Sequence, residues 1–229
     1  MLATYFYERH YHLIFPWADG NLQDFWKKFP KPQKSYEQLL WIAKQCHGLT
    51  EALNRLHNDD FGAAEALTPK NGGKHLDVKD NAHKSGRHGD IKPKNILWFE
   101  EAGGPVLKLC DFGLTKFHRK VSEFQQYETL LGSRTYRAPE FDLTNGVSPM
   151  YDMWALGCVF LEFISWYLLG YQEGIVNFSQ ERLDDDIEIV KEDTYFIIRE
   201  KGAKLGACQK KCVKKVSVLA SNVSLRHLD

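Results

Sequence analysis

The sequence predicts an α+β fold that is mainly helical, and three patterns along the chain support this class. Residues 4–7 and 10–15 are rich in aromatic and β-branched side chains, with Glu8 and Arg9 between them, which predicts a β-hairpin. Apolar residues recur at helical spacing over residues 35–57. The most apolar run, residues 155–170, predicts a buried core helix, since it is short for a bilayer span and contains Glu162.

The boundaries of the first two helices follow from local signals. Helical spacing of large apolar residues begins at Leu22, and Pro30 and Pro32 end that helix. Ser35 is a suitable N-cap for the long helix, with Gln38 three residues later. The predicted buried stripe of this long helix comprises Leu39, Ile42, Ala43, Cys46, Leu49, Ala52, Leu53 and Leu56.

The rest of the chain predicts an insertion, a second hairpin and a C-terminal part with less regular signals. Residues 58–86 are rich in Asn, Asp, Gly and Lys, which predicts a polar insertion. Residues 96–99 and 106–110, joined by a turn at 103–105, predict a second hairpin. Beyond Gly174 we expect mainly helix with loops.

The composition excludes a wholly disordered or fibrous chain, and the charge balance bears on the expected partners. The 229 residues are 43% hydrophobic and 26% charged, as in globular proteins. Lys+Arg and Asp+Glu balance at 30 each, so we expect neither a nucleic-acid nor a membrane partner. The five cysteines contain no CxxC pair, which predicts a reduced, intracellular setting, cytoplasmic or nuclear. The oligomeric state is left open.

Three short motifs carry the chemical information. They are HGDIKPKN at residues 88–95, DFG at 111–113 and APE at 138–140. Each alone is compatible with an ordinary surface turn, because Asp, Asn, Lys, Pro and Gly are common turn formers. In this order and spacing, with a strand pair between the first two, they resemble the catalytic loop, metal-binding turn and activation-segment end of eukaryotic protein kinases.

The resemblance implies phosphoryl transfer from ATP and assigns a role to each motif residue. Asp90 would accept or orient the proton of the attacking hydroxyl, and Lys92 would lie beside the transferred phosphoryl group. Asn95 and Asp111 would bind Mg²⁺, a hard cation that prefers oxygen ligands. The Lys92-Pro93 pair resembles the serine/threonine-directed loop rather than the tyrosine-directed one.

The resemblance also extends to both sides of these motifs. It implies that Ser133 touches the catalytic Asp and Lys, that Tyr136 belongs to the substrate-docking segment, and that Asp152 braces the catalytic loop through backbone N–H groups. Residues 11–22 resemble the fifth strand and hinge. There the implied ATP contacts are the Pro16 carbonyl and Ala18 N–H for adenine, Phe15 at the back pocket, and Asn21 or Asp24 for ribose.

The domain organisation implied by the resemblance is one partial kinase domain over residues 1–229. It would have a mainly α-helical large lobe and a remnant β-hairpin of the small lobe. Residues 1–15 would be small-lobe strands, 16–21 the hinge, and 22–229 the large lobe with the insertion at 58–86. The amino-acid sequence of the hinge and the insertion before the first motif are similar to those of a group of uncharacterised fungal kinase-like proteins.

Two departures from the kinase pattern bear on activity. No glycine-rich loop, strand lysine or helix glutamate precedes Tyr5, so we expect a chain truncated in the small lobe and a large loss of activity. Gly89 replaces the arginine that commonly precedes the catalytic Asp, which argues against activation by loop phosphorylation.

The motifs therefore leave more than one function open. The first is a protein serine/threonine kinase that transfers phosphate from Mg-ATP to a protein substrate. The alternative is an inactive kinase remnant, or pseudokinase, that acts as a binding module. A small-molecule kinase is disfavoured because the APE segment is typical of a peptide-docking groove.

Overall fold

The computed structural model describes residues 2–58, 85–118, 133–143, 148–186, 191–201 and 209–215, so most of the predicted insertion lies outside the described residues. The helices are α1 Leu22–Lys28, α2 Tyr36–Asn58, α3 Glu140–Leu143, α4 Met150–Tyr171 and α5 Phe178–Asp184. The strands are β1 Ala3–Tyr7, β2 His10–Ile14, β3 Gly20–Asn21, β4 Ser85–Arg87, β5 Ile96–Glu101, β6 Gly104–Leu109, β7 Lys116–His118, β8 Phe196–Lys201 and β9 Gln209–Lys214. This mixture confirms the predicted α+β class.

The core lies where α1, α2 and α4 pack against the β5–β6 hairpin. Its centre is aromatic: the Phe25 ring lies 5.4 Å from the rings of Trp41 and Trp98 and 5.7 Å from that of Trp166, measured between centroids. Burial of such large side chains, at about 1.5–3 kcal/mol each, is the main stabilisation available to the domain.

Helix α4 is the predicted apolar helix, and its packing explains its composition. By length and composition the stretch Met150–Asp184 is apolar enough to cross a membrane, but 44% of its most apolar window is buried inside the protein. Val159, Phe163 and Trp166 all lie in the central core cluster. The structure thus gives α4 the role of a core helix, as the sequence predicted.

Both predicted hairpins are present. β1 pairs antiparallel with β2, and Glu8 and Arg9 form the turn with φ of 47° and 65°. Two consecutive positive φ angles are the geometry that suits a two-residue hairpin turn. β5 pairs with β6, and β3 joins β5 so that Gly20 lies opposite Trp98. A Cβ at Gly20 would lie 2.9 Å from Trp98 Nε1, so this close approach requires glycine.

The predicted N-cap of α2 is confirmed, while its apolar stripe needs correction. Ser35 Oγ accepts a hydrogen bond from the Gln38 backbone N–H at 3.2 Å. Leu39, Ala43 and Ala52, predicted as core, are exposed. The buried face is narrower because only one side of α2 meets α4 and β6. Its buried residues are Ile42, Leu49, Leu53, Leu56 and His57.

The expectation of mainly helix beyond Gly174 is wrong for the last described segments. A π-helical segment, Gln172–Asn177, leads from α4 into α5, so helix persists to Asp184. Beyond it, β8 and β9 pair as antiparallel strands, with Ile197 opposite Val213. The run Tyr195–Ile198 is aromatic and β-branched, which favours a strand once a partner strand is available.

The narrow buried face of α2 gives a stability prediction. Leu53 is fully buried, so Leu53→Ala should lower the free energy of unfolding by about 2–5 kcal/mol through lost transfer energy and a cavity. Leu39→Ala, on the same helix with Leu39 45% exposed, should change it by less than about 1 kcal/mol. Urea denaturation followed by circular dichroism measures both, and equal losses would contradict this packing.

Candidate active site

The loop at residues 88–95 is held in place by a buried carboxylate at the start of α4. Asp152 is 0% exposed; its Oδ2 accepts the His88 backbone N–H at 2.7 Å and its Oδ1 accepts that of Gly89 at 2.8 Å. The predicted bracing of this loop by Asp152 is therefore confirmed. Gly89 has φ of 83°, in the left-handed region that favours glycine, so its place in the motif suits the local backbone.

Asp152 has a third hydrogen-bond partner, a histidine side chain, which the sequence analysis did not identify. His57, on the last turn of α2, places Nε2 2.9 Å from Asp152 Oδ2 in a buried pair. The only signal for this contact is a polar residue that continues the apolar face of α2 beside Leu56. Since α2 ends at His57 and α4 begins beside Asp152, this pair ties the loop to two core helices.

Asp90 is the most highly coordinated side chain of the loop. Its Oδ2 accepts hydrogen bonds from Lys92 Nζ at 2.6 Å and from Asn95 Nδ2 at 2.8 Å, and its Oδ1 accepts the Ser133 backbone N–H at 3.2 Å. Asn95 Nδ2 also donates to the Asp90 carbonyl at 2.9 Å. These donors compensate a nearly buried charge and fix the orientation of the carboxylate.

Asp111 is brought beside the loop by the β5–β6 ladder. The ladder ends with the Cys110 N–H donating to the Asn95 carbonyl at 3.0 Å, so Asp111 follows directly at this edge. His88 Nε2 lies 3.0 Å from the Cys110 carbonyl, which joins the first two motifs from the other side. Asp111 is exposed, has φ of 65°, and accepts the Gly113 N–H through Oδ1 at 3.3 Å.

The residues predicted to bind magnesium fit a site that needs additional ligands. Asn95 commits its Nδ2 to Asp90, and this turns its amide oxygen away from Asp90. Within the described ranges, no three His, Cys, Asp or Glu side chains form a metal-binding group by themselves. Mg²⁺ commonly takes one or two protein ligands and completes its shell with phosphates and water, which agrees with this sparse set.

The segment predicted to contact ATP is anchored to β5 at one end. The Asp19 N–H donates to the Trp98 carbonyl at 3.1 Å, and Asp19 Oδ2 accepts the Glu100 N–H at 2.8 Å. Phe15 and Pro16 lie exposed, with Phe15 59% accessible, and Ala18 is half-buried.

The two residues predicted to reach the ribose form a capping box that sequence reasoning missed. Asn21 Oδ1 accepts the Asp24 N–H at 3.1 Å, and Asp24 Oδ2 accepts from Asn21 Nδ2 at 2.5 Å and from its backbone N–H at 3.4 Å. Asn followed three residues later by Asp was the available signal. These bonds start α1 and leave Asp24 Oδ1 outside the box.

The end of the activation-like segment packs against α4. Ser133 reaches Asp90 through its backbone N–H, and Tyr136 donates its hydroxyl hydrogen to Glu162 Oε2 at 2.9 Å. Burial, with Glu162 nearby, raises the pKa of Tyr136 well above its usual value. Lys92, Ser133 and Tyr136 share the wall of a cavity of about 540 Å³ next to the loop.

A buried ion-pair network forms part of the wall of this cavity, through Glu162, Arg182 and Asp193, and the sequence analysis had named only Glu162 among these three. Glu162 accepts the Tyr195 hydroxyl at 2.8 Å and Arg182 Nη2 at 3.2 Å. Arg182, 1% exposed, also donates through Nε to Asp193 at 2.6 Å. Burial raises the pKa of Glu162, and Arg182 opposes that shift. The partners come from three separate segments, so local patterns contained no signal for the network.

Comparison with known families decides what this constellation is. The family model described as "Protein kinase domain" matches residues 82–216, more than half of the chain. The chain belongs to the protein kinase domain family. The match spans the catalytic loop, Asp111, Ser133, Tyr136 and Asp152, and for a protein kinase it implies ATP and a divalent metal ion in general.

Curated protein kinases resemble this kinase domain over shorter segments. It is 40% identical to the serine/threonine-protein kinase chk-2 of Caenorhabditis elegans over 82 residues, which are 35% of this chain and 16% of that protein. It is 43% identical to the human MAPK/MAK/MRK overlapping kinase over 88 residues, 38% of this chain and 19% of the relative. It is 35% identical to the human dual specificity protein kinase CLK1 over 107 residues, 42% and 21% respectively.

Among solved structures, the kinase PK-1 of the Cydia pomonella granulovirus matches with a TM-score of 0.43 and 22% identity. This match covers 71% of the present chain and 47% of the viral kinase. The present chain thus spans less than half of that protein, and a smaller share of each curated relative.

The Asp152 bracing gives the first prediction for the site. Asp152→Asn replaces one of two accepting oxygens by an NH₂ group facing a buried N–H, so the free energy of unfolding should fall by about 2–3 kcal/mol. Asp184→Asn, in an exposed pair with Lys191, is the matched control and should change it by less than about 0.5 kcal/mol. Thermal denaturation measures both, and an unchanged Asp152→Asn variant would refute the bracing role.

The Glu162 network gives a second prediction. Arg182→Met leaves Glu162 buried without its cation, so the free energy of unfolding should fall by about 3–5 kcal/mol. Adding Glu162→Gln removes the stranded charge and should restore part of this loss. Arg55→Met, which breaks an exposed pair with Glu51, should cost less than about 1 kcal/mol. Urea denaturation compares the four proteins; a double variant no more stable than Arg182→Met would count against a charge effect.

Proposed function

We propose that this protein transfers the terminal phosphoryl group of Mg-ATP to serine or threonine hydroxyls of a protein substrate. One observation carries the proposal: the Asp90 carboxylate is nearly buried yet held by donors from Lys92, Asn95 and Ser133. A fixed carboxylate with a lysine ammonium beside it is what an in-line phosphoryl transfer needs from the protein, since positioning and charge compensation dominate this reaction.

Asp90 and Lys92 have complementary roles in the proposed reaction. Asp90 accepts the proton of the attacking hydroxyl or orients that hydroxyl toward the phosphorus. Lys92 Nζ, 2.6 Å from Asp90 Oδ2, supplies positive charge beside the transferred group. Lys92, Ser133 and Tyr136 line the same cavity, and we assign Ser133 and Tyr136 to the docking of the substrate segment.

We assign the binding of ATP and Mg²⁺ to two further groups of residues. The Pro16 carbonyl and Ala18 N–H have no recorded hydrogen-bond partner in the described part of the chain, which leaves both for an adenine edge. Phe15 would lie at the back pocket, and the ribose would meet Asn21 or Asp24 through atoms that take no part in the capping box.

The metal would lie between Asn95 and Asp111. Both offer an oxygen that no described donor occupies, the Asn95 amide oxygen and Asp111 Oδ2. When bound, Mg²⁺ supplies positive charge to the phosphate oxygens.

The acceptor residue, the domain organisation and the cellular setting are part of the same proposal. The Lys92-Pro93 pair and relatives named serine/threonine-protein kinases support serine or threonine as acceptor. We assign residues 1–229 to one kinase domain, with 1–15 as small-lobe strands, 16–21 as hinge and 22–229 as large lobe with the insertion at 58–86. The intracellular setting, cytoplasmic or nuclear, is part of the same proposal.

The function test uses [γ-³²P]ATP, Mg²⁺ and a generic protein substrate such as myelin basic protein. Asp90→Asn keeps the shape of the side chain but removes the base, so the transfer rate should fall by about 10²–10⁴-fold. Asp184→Asn, in a surface pair, is the matched control and should leave the rate unchanged.

Wild-type transfer no greater than that of Asp90→Asn would refute the catalytic proposal. Calorimetry with Mg-ATP then separates the alternatives. Binding without transfer would support the non-catalytic binding module, and absence of binding would also remove the ATP contacts proposed above.

A further inference from the structure

A groove at the end of α1 is separate from the proposed reaction site. It has a volume of about 510 Å³ and lies between the C-terminal end of α1, residues 29–33, the first turns of α2 and Pro105 at the start of β6. Its aromatic wall is formed by Phe25, Phe29, Trp41 and Trp166. It shares no lining residue with the cavity beside Lys92, and its volume is in the range of binding sites.

The walls of this groove, which we call the α1–α2 groove, are preformed. Trp41 Nε1 donates to the Pro105 carbonyl at 2.6 Å, and Trp166 Nε1 donates to the Phe29 carbonyl at 2.8 Å. The Tyr171 N–H donates to the Pro30 carbonyl at 2.9 Å. These bonds tie the connecting segment to the core, so an occupant would meet a surface that is already ordered.

The same hydrogen bonds make the groove selective for an apolar occupant. Both indole N–H groups are already used, so the aromatic wall offers no donor to a polar group. Phe29 remains 38% exposed although its ring lies 4.8 Å from that of Phe25. A large apolar side chain that covered Phe29 would remove this surface from water.

The rim of the groove is positively charged. Residues 27–34 contain Lys27, Lys28, Lys31 and Lys34, and none of them has an ion pair with a carboxylate in the described ranges. Lys28 and Lys31 line the groove, and Lys28 Nζ lies 4.6 Å from the centre of the Trp98 ring. The cation–π contact holds the Lys28 charge at the rim without neutralising it.

The acidic residues nearby do not cancel this charge. Glu101 pairs with Lys108 at 2.9 Å. Glu37 lies in the first turn of α2, where a backbone hydrogen bond and the Ser35 side chain lower its pKa. Glu37 therefore complements the helix N-terminus, and the lysines at the groove remain in excess.

We propose that the α1–α2 groove is a docking site for an acidic peptide segment that carries one large apolar anchor residue. The anchor fills the aromatic groove, and acidic residues on either side pair with Lys28 and Lys31. A peptide fits better than a small anion, because Lys28 and Lys31 line the same groove as the aromatic wall, and only a chain with both acidic and apolar side chains can contact both. Docking here does not require phosphoryl transfer.

The test measures binding of a fluorescein-labelled peptide by fluorescence anisotropy, with the full chain at low ionic strength. The probe peptide has one tryptophan flanked on each side by three glutamates. The Lys28→Glu/Lys31→Glu double variant should weaken binding by about tenfold or more, and added salt should weaken wild-type binding. Lys214→Glu, an exposed charge reversal on β9, is the matched control and should change the affinity by less than about twofold.

Two further arms decide the chemistry of the occupant. A probe in which alanine replaces the tryptophan should lose most of its affinity, and so should one in which lysines replace the glutamates. Lys28→Gln/Lys31→Gln should weaken binding by a smaller factor than the double reversal, with circular dichroism confirming that each variant is folded.

The proposal is overturned by equal affinities of the wild type and the double reversal, or by undiminished binding of either altered probe. It is also overturned if vesicles containing phosphatidylserine bind in a Lys28- and Lys31-dependent way while the acidic probe does not, since that result assigns the lysines to a membrane surface.

Discussion

The carboxylate of Asp152 lies without solvent contact at the first turn of α4, and it accepts the backbone N–H groups of two consecutive loop residues. A buried charge of this kind is tolerated only when donors surround it, and His88, Gly89 and His57 provide them. Helix α4 is itself fixed by the aromatic core. The packing of the core therefore determines where the loop at residues 88–95 lies. Asp90, one residue beyond these bonds, is placed by the same constraint.

Helix α4 organises a second polar centre further along its length. Glu162 collects the hydroxyls of Tyr136 and Tyr195 and the guanidinium of Arg182, so segments far apart in the chain meet on one side chain. A single apolar helix thus carries one carboxylate that holds the loop at residues 88–95 and another that accepts the hydroxyl of Tyr136. Lys92 reaches Asp90 through a local ion pair, whereas Ser133 comes from a distant segment to donate its backbone N–H to the same carboxylate.

The proposed reaction site and the proposed peptide-docking site lie in two different cavities of the molecule. The cavity beside Lys92 has several charged groups in its lining, among them Glu162, Arg182 and Asp193, whereas the α1–α2 groove has an aromatic wall and a lysine rim. The hydrogen bonds from the indole N–H groups of Trp41 and Trp166 have two effects in the groove. They hold its walls in place, and they leave neither N–H group available to a ligand. Charge at the rim and apolar surface at the floor then select different parts of the same ligand.

Local chemistry explains what the sequence by itself determined: the kinase motifs, the β1–β2 and β5–β6 hairpins, the end of α1 and the Ser35 cap. Turn residues, apolar period and capping side chains act within a few positions, so they can be recognised in a linear pattern. Only the tertiary structure decided that His57 meets Asp152, that Arg182 pairs with Glu162, and that residues 196–201 pair with residues 209–214 as antiparallel strands. Those outcomes depend on groups brought together from distant segments, where packing against the core selects the partner and local propensity does not.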